Sequence, residues 1–202
     1  MFAKPLHLIK GVIFDLDGTL LTSALDFQAM RQQINCPPQL DILSFIAALP
    51  QEQQRFANQV VLEHELADAQ NSSWIEGAQM AISMLQSNHI PTAIVTRNSK
   101  VATWLKLNNN QLAVDVVLTR EDAPAKPDPT ALLQIAESWQ LPVQHLAYIG
   151  DYLYDLQAAN NAQMFAGLYA PEQVPDYAHL ADWVFSDFAQ FIELLSANKT
   201  LK

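Results

Sequence analysis

The sequence holds a single cysteine, Cys36, in 202 residues. A lone thiol excludes an internal disulfide and a zinc site built from several thiolates. Positive charge is also scarce: 11 Lys and Arg stand against 21 Asp and Glu, a formal net charge of −10. That balance argues against sequence-independent nucleic-acid binding, which needs clustered cations to displace counterions from the backbone. It leaves room for a small anionic substrate received by a local cation. Long apolar runs are missing, and none approaches the ~20 residues of a membrane span. The first ten residues contain no apolar leader segment and no cleavage site, which predicts a cytoplasmic location. Charged residues make up only 16%, with 19 Gln and 11 Asn in their place. So many thermolabile amides argue against a hyperthermophilic source.

What is present suffices for a core. Half the residues are hydrophobic and 9% are aromatic, which excludes disorder as the dominant state. The length suits one domain, with or without a small inserted subdomain. Gly11–Phe14 is a short run of β-branched and aromatic residues ending at Asp15, and reads as a strand buried on both faces. Residues 91–96 (PTAIVT), 114–119 (VDVVLT), 146–150 (LAYIG), 164–169 (MFAGLY) and 182–185 (DWVF) share this character. Between them lie helical stripes: Ala78, Ala81, Ile82 and Leu85; Leu132, Leu133, Ala136 and Trp139; and Phe188, Phe191 and Ile192. Strands alternating with helices predict an α/β fold with a Rossmann-like parallel sheet sandwiched by helices.

Residues 22–74 break the alternation. Three helical stripes occur there: Phe27, Met30, Arg31 and Ile34; Ile42, Phe45, Ile46 and Leu49; and Phe56, Val60, His64 and Ala67. The expected organisation is a core of residues 1–21 and 75–202 with a small all-helical cap, 22–74, inserted after the first strand. Such an insertion lies over the strand ends where open α/β sheets bind ligands.

The chemistry-bearing residues follow strand ends. Asp15-Leu16-Asp17-Gly18-Thr19 follows the first, Thr96-Arg97-Asn98 the second, Lys126 the third, and Asp151 and Asp155 the fourth. Each alone suits a turn, a solvated loop or a helix cap. Together they form an ordered set that can line one crevice. Two like charges ~4 Å apart at an effective dielectric near 20 repel by about 4 kcal/mol, so converging carboxylates call for a cation. An all-oxygen donor set favours Mg²⁺.

The set resembles the four motifs of the haloacid dehalogenase-like hydrolase superfamily, and the helical insertion resembles the cap of its phosphoglycolate phosphatase-like members. The resemblance implies a Mg²⁺-dependent phosphatase acting on a small phosphorylated metabolite, as a monomer or homodimer, with neither nucleic acid nor membrane as partner. It implies Asp15 as nucleophile and Asp17 as acid and base, with Thr96 and Lys126 holding the phosphoryl group. Mg²⁺ would be bound by Asp15 and Asp151, by the backbone carbonyl of Asp17, and by Asp155 through water or from behind. A sugar phosphomutase shares these motifs, and a non-catalytic phosphate-binding protein shares the fold. Asp17 argues against a dehalogenase.

Arg97 and Tyr152 stand where smaller residues are usual in the family. Arg97 suits either a second anionic group at the pocket mouth or solvent. Arg31, in the first cap stripe, is a candidate substrate contact beside Asn98, or a stem packed on the cap with its head in solvent. His64 reads as a packed cap residue in preference to a ligand, and Cys36 as a thiol without chemistry.

Overall fold

A computed structural model describes residues 8–197. Residues 1–7 and 198–202, which the expected core boundaries include, lie outside the described residues. Six strands form one fully parallel sheet: β1 (Gly11–Phe14), β2 (Thr92–Val95), β3 (Val116–Leu118), β4 (Leu146–Gly150), β5 (Phe165–Tyr169) and β6 (Trp183–Phe185). Their order is β3-β2-β1-β4-β5-β6. β1, β2, β4 and β5 are buried throughout, as their continuous apolar runs predict. The helices after the first strand are α1 (Phe27–Gln33), α2 (Ile42–Ala48), α3 (Gln51–Asn71), α4 (Ala78–Ser87), α5 (Lys100–Asn109), α6 (Thr130–Trp139), α7 (Leu153–Asn161) and α8 (Phe188–Ala197). No helix among the described residues is long and apolar enough to cross a membrane.

The sheet separates two apolar layers because successive side chains of a strand point to opposite faces. Val12 and Phe14 pack with Leu85 of α4 and with Phe188 and Phe191 of α8. Ile13 packs on the other face with Leu132 and Ile135 of α6 and Leu156 of α7. Connections from β1 lead outward to β2 and β3, whereas β4 lies on its other side. The crevice at that reversal is where ligands of such sheets bind.

The three helices between β1 and α4 share their own apolar cluster, including Met30, Ile34, Ile42, Ile46 and Val61. Asp26 caps α1 by accepting from Ala29 N at 2.8 Å, and Asp41 caps α2 by accepting from Ser44 N at 2.9 Å. The two chain segments leading into and out of this unit meet. Thr22 N donates to Ser73 O at 2.8 Å and Ile75 N to Leu20 O at 3.0 Å.

Two helix faces differ from the expected stripes. On α6 the buried residues are Ala131, Leu132, Ile135 and Ala136, while Leu133 is 42% exposed. The adjacent leucines allow two frames, and packing on the sheet selects one. On α3, Phe56 is exposed and the buried face carries Ala57, Val60, Val61, Glu65, Asp68 and Ala69. That face meets α5 through charged groups as well as apolar ones, so a stripe sought by hydrophobicity misses it.

The two frames of α6 can be separated by urea denaturation. Leu132→Ala is expected to cost about 2–5 kcal/mol as a buried truncation. Leu133→Ala is expected to change stability by less than about 0.5 kcal/mol.

Candidate active site

The turn after β1 is shaped by its neighbour β4. Asp15 N donates to Ile149 O at 2.8 Å, which extends the parallel pairing by one residue. The chain then folds back, with Leu20 N and Leu21 N both donating to Leu16 O at 2.9 Å. Gly18 sits at φ +76, where L side chains are strained, and a Cβ there would lie 2.5 Å from Asp151 Oδ2. The Thr19 hydroxyl donates to Asp151 Oδ1 at 2.9 Å. Gly18 and Thr19 therefore both serve a carboxylate more than 130 residues away in the chain.

Asp15, Asp151 and Asp155 each offer an oxygen such that all three lie within 4.8 Å of one another. Lys126 Nζ donates to Asp15 Oδ1 and Asp155 Oδ1, both at 2.6 Å, and to the Tyr148 hydroxyl at 2.8 Å. Asp155 Oδ2 accepts from Tyr152 N at 3.0 Å, so both its oxygens are engaged. Burial pushes Asp15 well above the usual carboxylate range against the pull of Lys126, and the charges of Asp155 and Asp151 add to the rise. Burial and the charge of Asp155 push Asp151 up to about 7. Burial favours a neutral Lys126, but the Asp15 and Asp155 carboxylates outweigh it and raise its pKa.

Asp17 is held separately. Its Oδ2 accepts from Asn98 Nδ2 at 2.6 Å, and its Oδ1 from Lys106 Nζ. Burial raises its pKa, opposed by Lys106 and Asn98. Thr96, Arg97 and Asn98 line the same cavity of about 460 Å³, which reaches from the carboxylates to α1 and the start of α2. The arrangement joins a carboxylate cluster, a buried ammonium, a hydroxyl and one independently positioned carboxylic group. Those are the parts needed for nucleophilic attack with proton transfer at an oxyanion-bearing group.

Comparison with known proteins fits this geometry. Residues 12–168 match the family model described as haloacid dehalogenase-like hydrolase. The chain belongs to that family. A Saccharomyces cerevisiae protein described as an uncharacterized hydrolase is 31% identical over 198 residues, covering 93% of this chain and 91% of that protein. A phosphoglycolate phosphatase of Photobacterium profundum is 27% identical over 233 residues, covering 95% and 98%. Among solved structures, a hydrolase from Pseudomonas syringae shares the fold with a TM-score of 0.75 at 20% identity, covering 91% of this chain and 98% of that one.

Within this haloacid dehalogenase-like hydrolase, Asp15, Asp17, Thr96, Arg97, Asn98, Lys126, Asp151 and Asp155 all line one cavity. Arg31 lines it too, but its Nη1 donates to Cys36 Sγ at 3.3 Å, to Pro37 O at 3.1 Å and to Leu40 O, bracing the 36–40 loop. Arg97 donates to Asp41 Oδ2 at 2.5 Å and to Lys126 O at 2.9 Å, and lies 4.5 Å from the Tyr154 ring centre. Neither head is simply solvated. Tyr152 meets Asp155 through its backbone, its N–H donating to Oδ2 at 3.0 Å and its carbonyl accepting from Asp155 N at 3.0 Å, so the motif does not need a small side chain there. His64 Nε2 lies 3.4 Å from Gln33 Oε1, a contact between α3 and α1.

Lys106, Tyr148, Glu65 and Asp68 were not legible as site residues. Lys106 is 0% exposed and bridges Asp17 to Asp68 of α3. Glu65 accepts from Ser99 N at 3.0 Å and pairs with Arg120. The one available signal was spacing: Lys106 follows Ala102 and Thr103 at helical intervals on the buried face of α5. Replacing Lys106 by Met leaves two carboxylates facing each other without their cation. Its expected cost in chemical denaturation is about 3–5 kcal/mol, with partial recovery when Asp68→Asn is added, which removes the charge and keeps an acceptor for Ala24 N.

Proposed function

We propose that this hydrolase is a Mg²⁺-dependent phosphatase that cleaves a small phosphorylated metabolite through an aspartyl-phosphate on Asp15. The observation that carries the reading is the placement of Asp15. It ends the central strand, beside the only ammonium that reaches it among the described residues, in a cavity shared with the separately held Asp17.

The donor set fits the metal. Three clustered carboxylates supply hard oxygen ligands, and Lys126 offsets only part of their charge. Asp15 and Asp151 would hold Mg²⁺ with their side chains and Asp17 with its backbone carbonyl. Asp155, with both oxygens already bonded, suits an outer position. Bound there, the ion supplies positive charge to the phosphoryl oxygens.

The chain's own groups account for the remaining steps. A carboxylate oxygen of Asp15 attacks phosphorus, the bond from phosphorus to the ester oxygen breaks, and Asp17 gives that oxygen its proton. Asp17 then takes a proton from water as the water oxygen attacks the same phosphorus. The bond to Asp15 breaks and inorganic phosphate leaves. Thr96 and Lys126 hold phosphoryl oxygens throughout. Residues 22–74 act as the cap, which places the leaving group and excludes water.

Chelation is expected to abolish phosphate release from a generic aryl phosphate, and added Mg²⁺ to restore it. Full activity after exhaustive chelation overturns the metal assignment. Asp15→Asn is expected to eliminate turnover, and Asp17→Asn to lower it by about 10²–10⁴-fold, while both variants keep the wild-type circular dichroism spectrum. Product analysis separates a phosphatase, which frees inorganic phosphate, from a phosphomutase, which returns an isomeric sugar phosphate.

A further inference from the structure

Resting on the phosphatase reading, the geometry points to a substrate class: phosphomonoesters whose leaving alcohol is uncharged and largely apolar. The cavity beyond the carboxylates carries the argument. Its far wall is built by Phe27, Met30, Ile42 and Leu43 from the cap and by Tyr152 and Tyr154 from the start of α7. Phe27 and Tyr152 are both more than half exposed, although each is large and apolar. Exposed rings on a concave surface are positions where a ligand gains by covering them.

Charge gives the complementary exclusion. Asp15, Asp17, Asp41, Glu65, Asp151 and Asp155 are the carboxylates lining the cavity. Its cations are Arg31, Arg97 and Lys126. Behind the lining, Lys106 is shared between Asp17 and Asp68, and Arg120 pairs with Glu65. With these groups counted, seven carboxylates face five cations, a formal excess of two negative charges that a divalent ion offsets. A phosphoryl group therefore enters a site with no positive charge in surplus for a second anion. The arginines do not supply it. Arg31 is turned onto the 36–40 loop, and Arg97 is neutralised by Asp41 while bonded to Lys126 O. A carboxylate or second phosphate on the leaving group would have to displace Asp41 from Arg97 or stay unpaired against apolar surface.

The test compares kcat/KM of the intact enzyme with Mg²⁺ on ethyl phosphate, benzyl phosphate, 4-carboxybenzyl phosphate and phosphoglycolate. Benzyl phosphate is expected to exceed each of the others by about tenfold or more. In Phe27→Ala, an exposed position whose truncation does not threaten folding, the benzyl-to-ethyl ratio is expected to fall several-fold. In Asp41→Asn, which keeps an N-cap residue for α2, Arg97 loses its counter-charge. The ratio of 4-carboxybenzyl to benzyl phosphate is then expected to rise about tenfold. The substrate class is overturned if phosphoglycolate or 4-carboxybenzyl phosphate equals or exceeds benzyl phosphate in the wild type, or if neither variant moves its ratio. If none of the four esters is hydrolysed while the protein is folded and loaded with Mg²⁺, the phosphatase reading itself fails, and the two failures are distinct.

Discussion

Negative charge gathered at the junction of β1 and β4 is the constraint around which this protein is arranged. Asp15, Asp151 and Asp155 each bring an oxygen within 4.8 Å of the others, with Asp15 and Asp155 buried and Asp151 half-buried. Like charges there are costly, and burial alone pushes carboxylates toward the neutral form. The fold opposes both effects with one ammonium, Lys126, placed between Asp15 and Asp155 and steadied by the Tyr148 hydroxyl. The close approach also dictates small residues. Gly18 and Gly150 stand where any Cβ would collide with Asp151 or Asp155. The glycines, the threonine that orients Asp151 and the buried lysine are all consequences of keeping these acids together.

A second, smaller balance joins the inserted helices to the core. Lys106 is shared between Asp17 on the β1 turn and Asp68 on α3, and Glu65 of α3 meets Ser99 and Arg120. Arg97 and Asp41 tie the start of α2 to the turn after β2. The contact between the two units therefore runs through charged groups contributed by both sides, as well as through apolar ones. Such buried pairs contribute modestly to stability, because desolvation offsets attraction, but breaking one partner is expensive. They fix where the helices sit more than how tightly they hold.

These two balances differ in how far the sequence revealed them. The acids of the first follow short apolar runs in an ordered pattern, so Asp15, Asp17, Thr96, Lys126 and Asp151 stand out together at strand ends, and the fold brings them to one cavity. The strand boundaries moved by no more than two residues at either end, since β-branched runs with flanking turns leave little choice. The second balance was hidden. Lys106 meets Asp17 across 89 residues and Asp68 across 38, and no local pattern links them. Searching α3 for an apolar stripe selected Phe56 and His64, whereas its docking face includes Glu65 and Asp68. A charged residue buried by a distant partner of opposite sign looks, in one dimension, like a solvated one. The arginines show the same gap: their presence near the pocket was expected, but their pairing with Asp41 and with loop carbonyls depends on tertiary neighbours.

The order of the strands in the sheet bears on how the chain reaches this state. β1 is the first strand among the described residues, yet its partners are β2, some 80 residues later, and β4, whose Leu146 pairs with Gly11 across 135 residues. Closing loops of that length before any pairing is gained makes parallel sheets of this kind slow to form. A nascent chain emerging from the ribosome exposes the apolar strand carrying Asp15 long before Leu146–Gly150 exists to flank it. Until β2 pairs with it β1 has two open edges, and until β4 is made it keeps one, the feature that favours non-native pairing and chaperone capture. The central position that concentrates the chemistry thus also sets the most vulnerable interval in the life of the molecule, between synthesis of its first strand and its fourth.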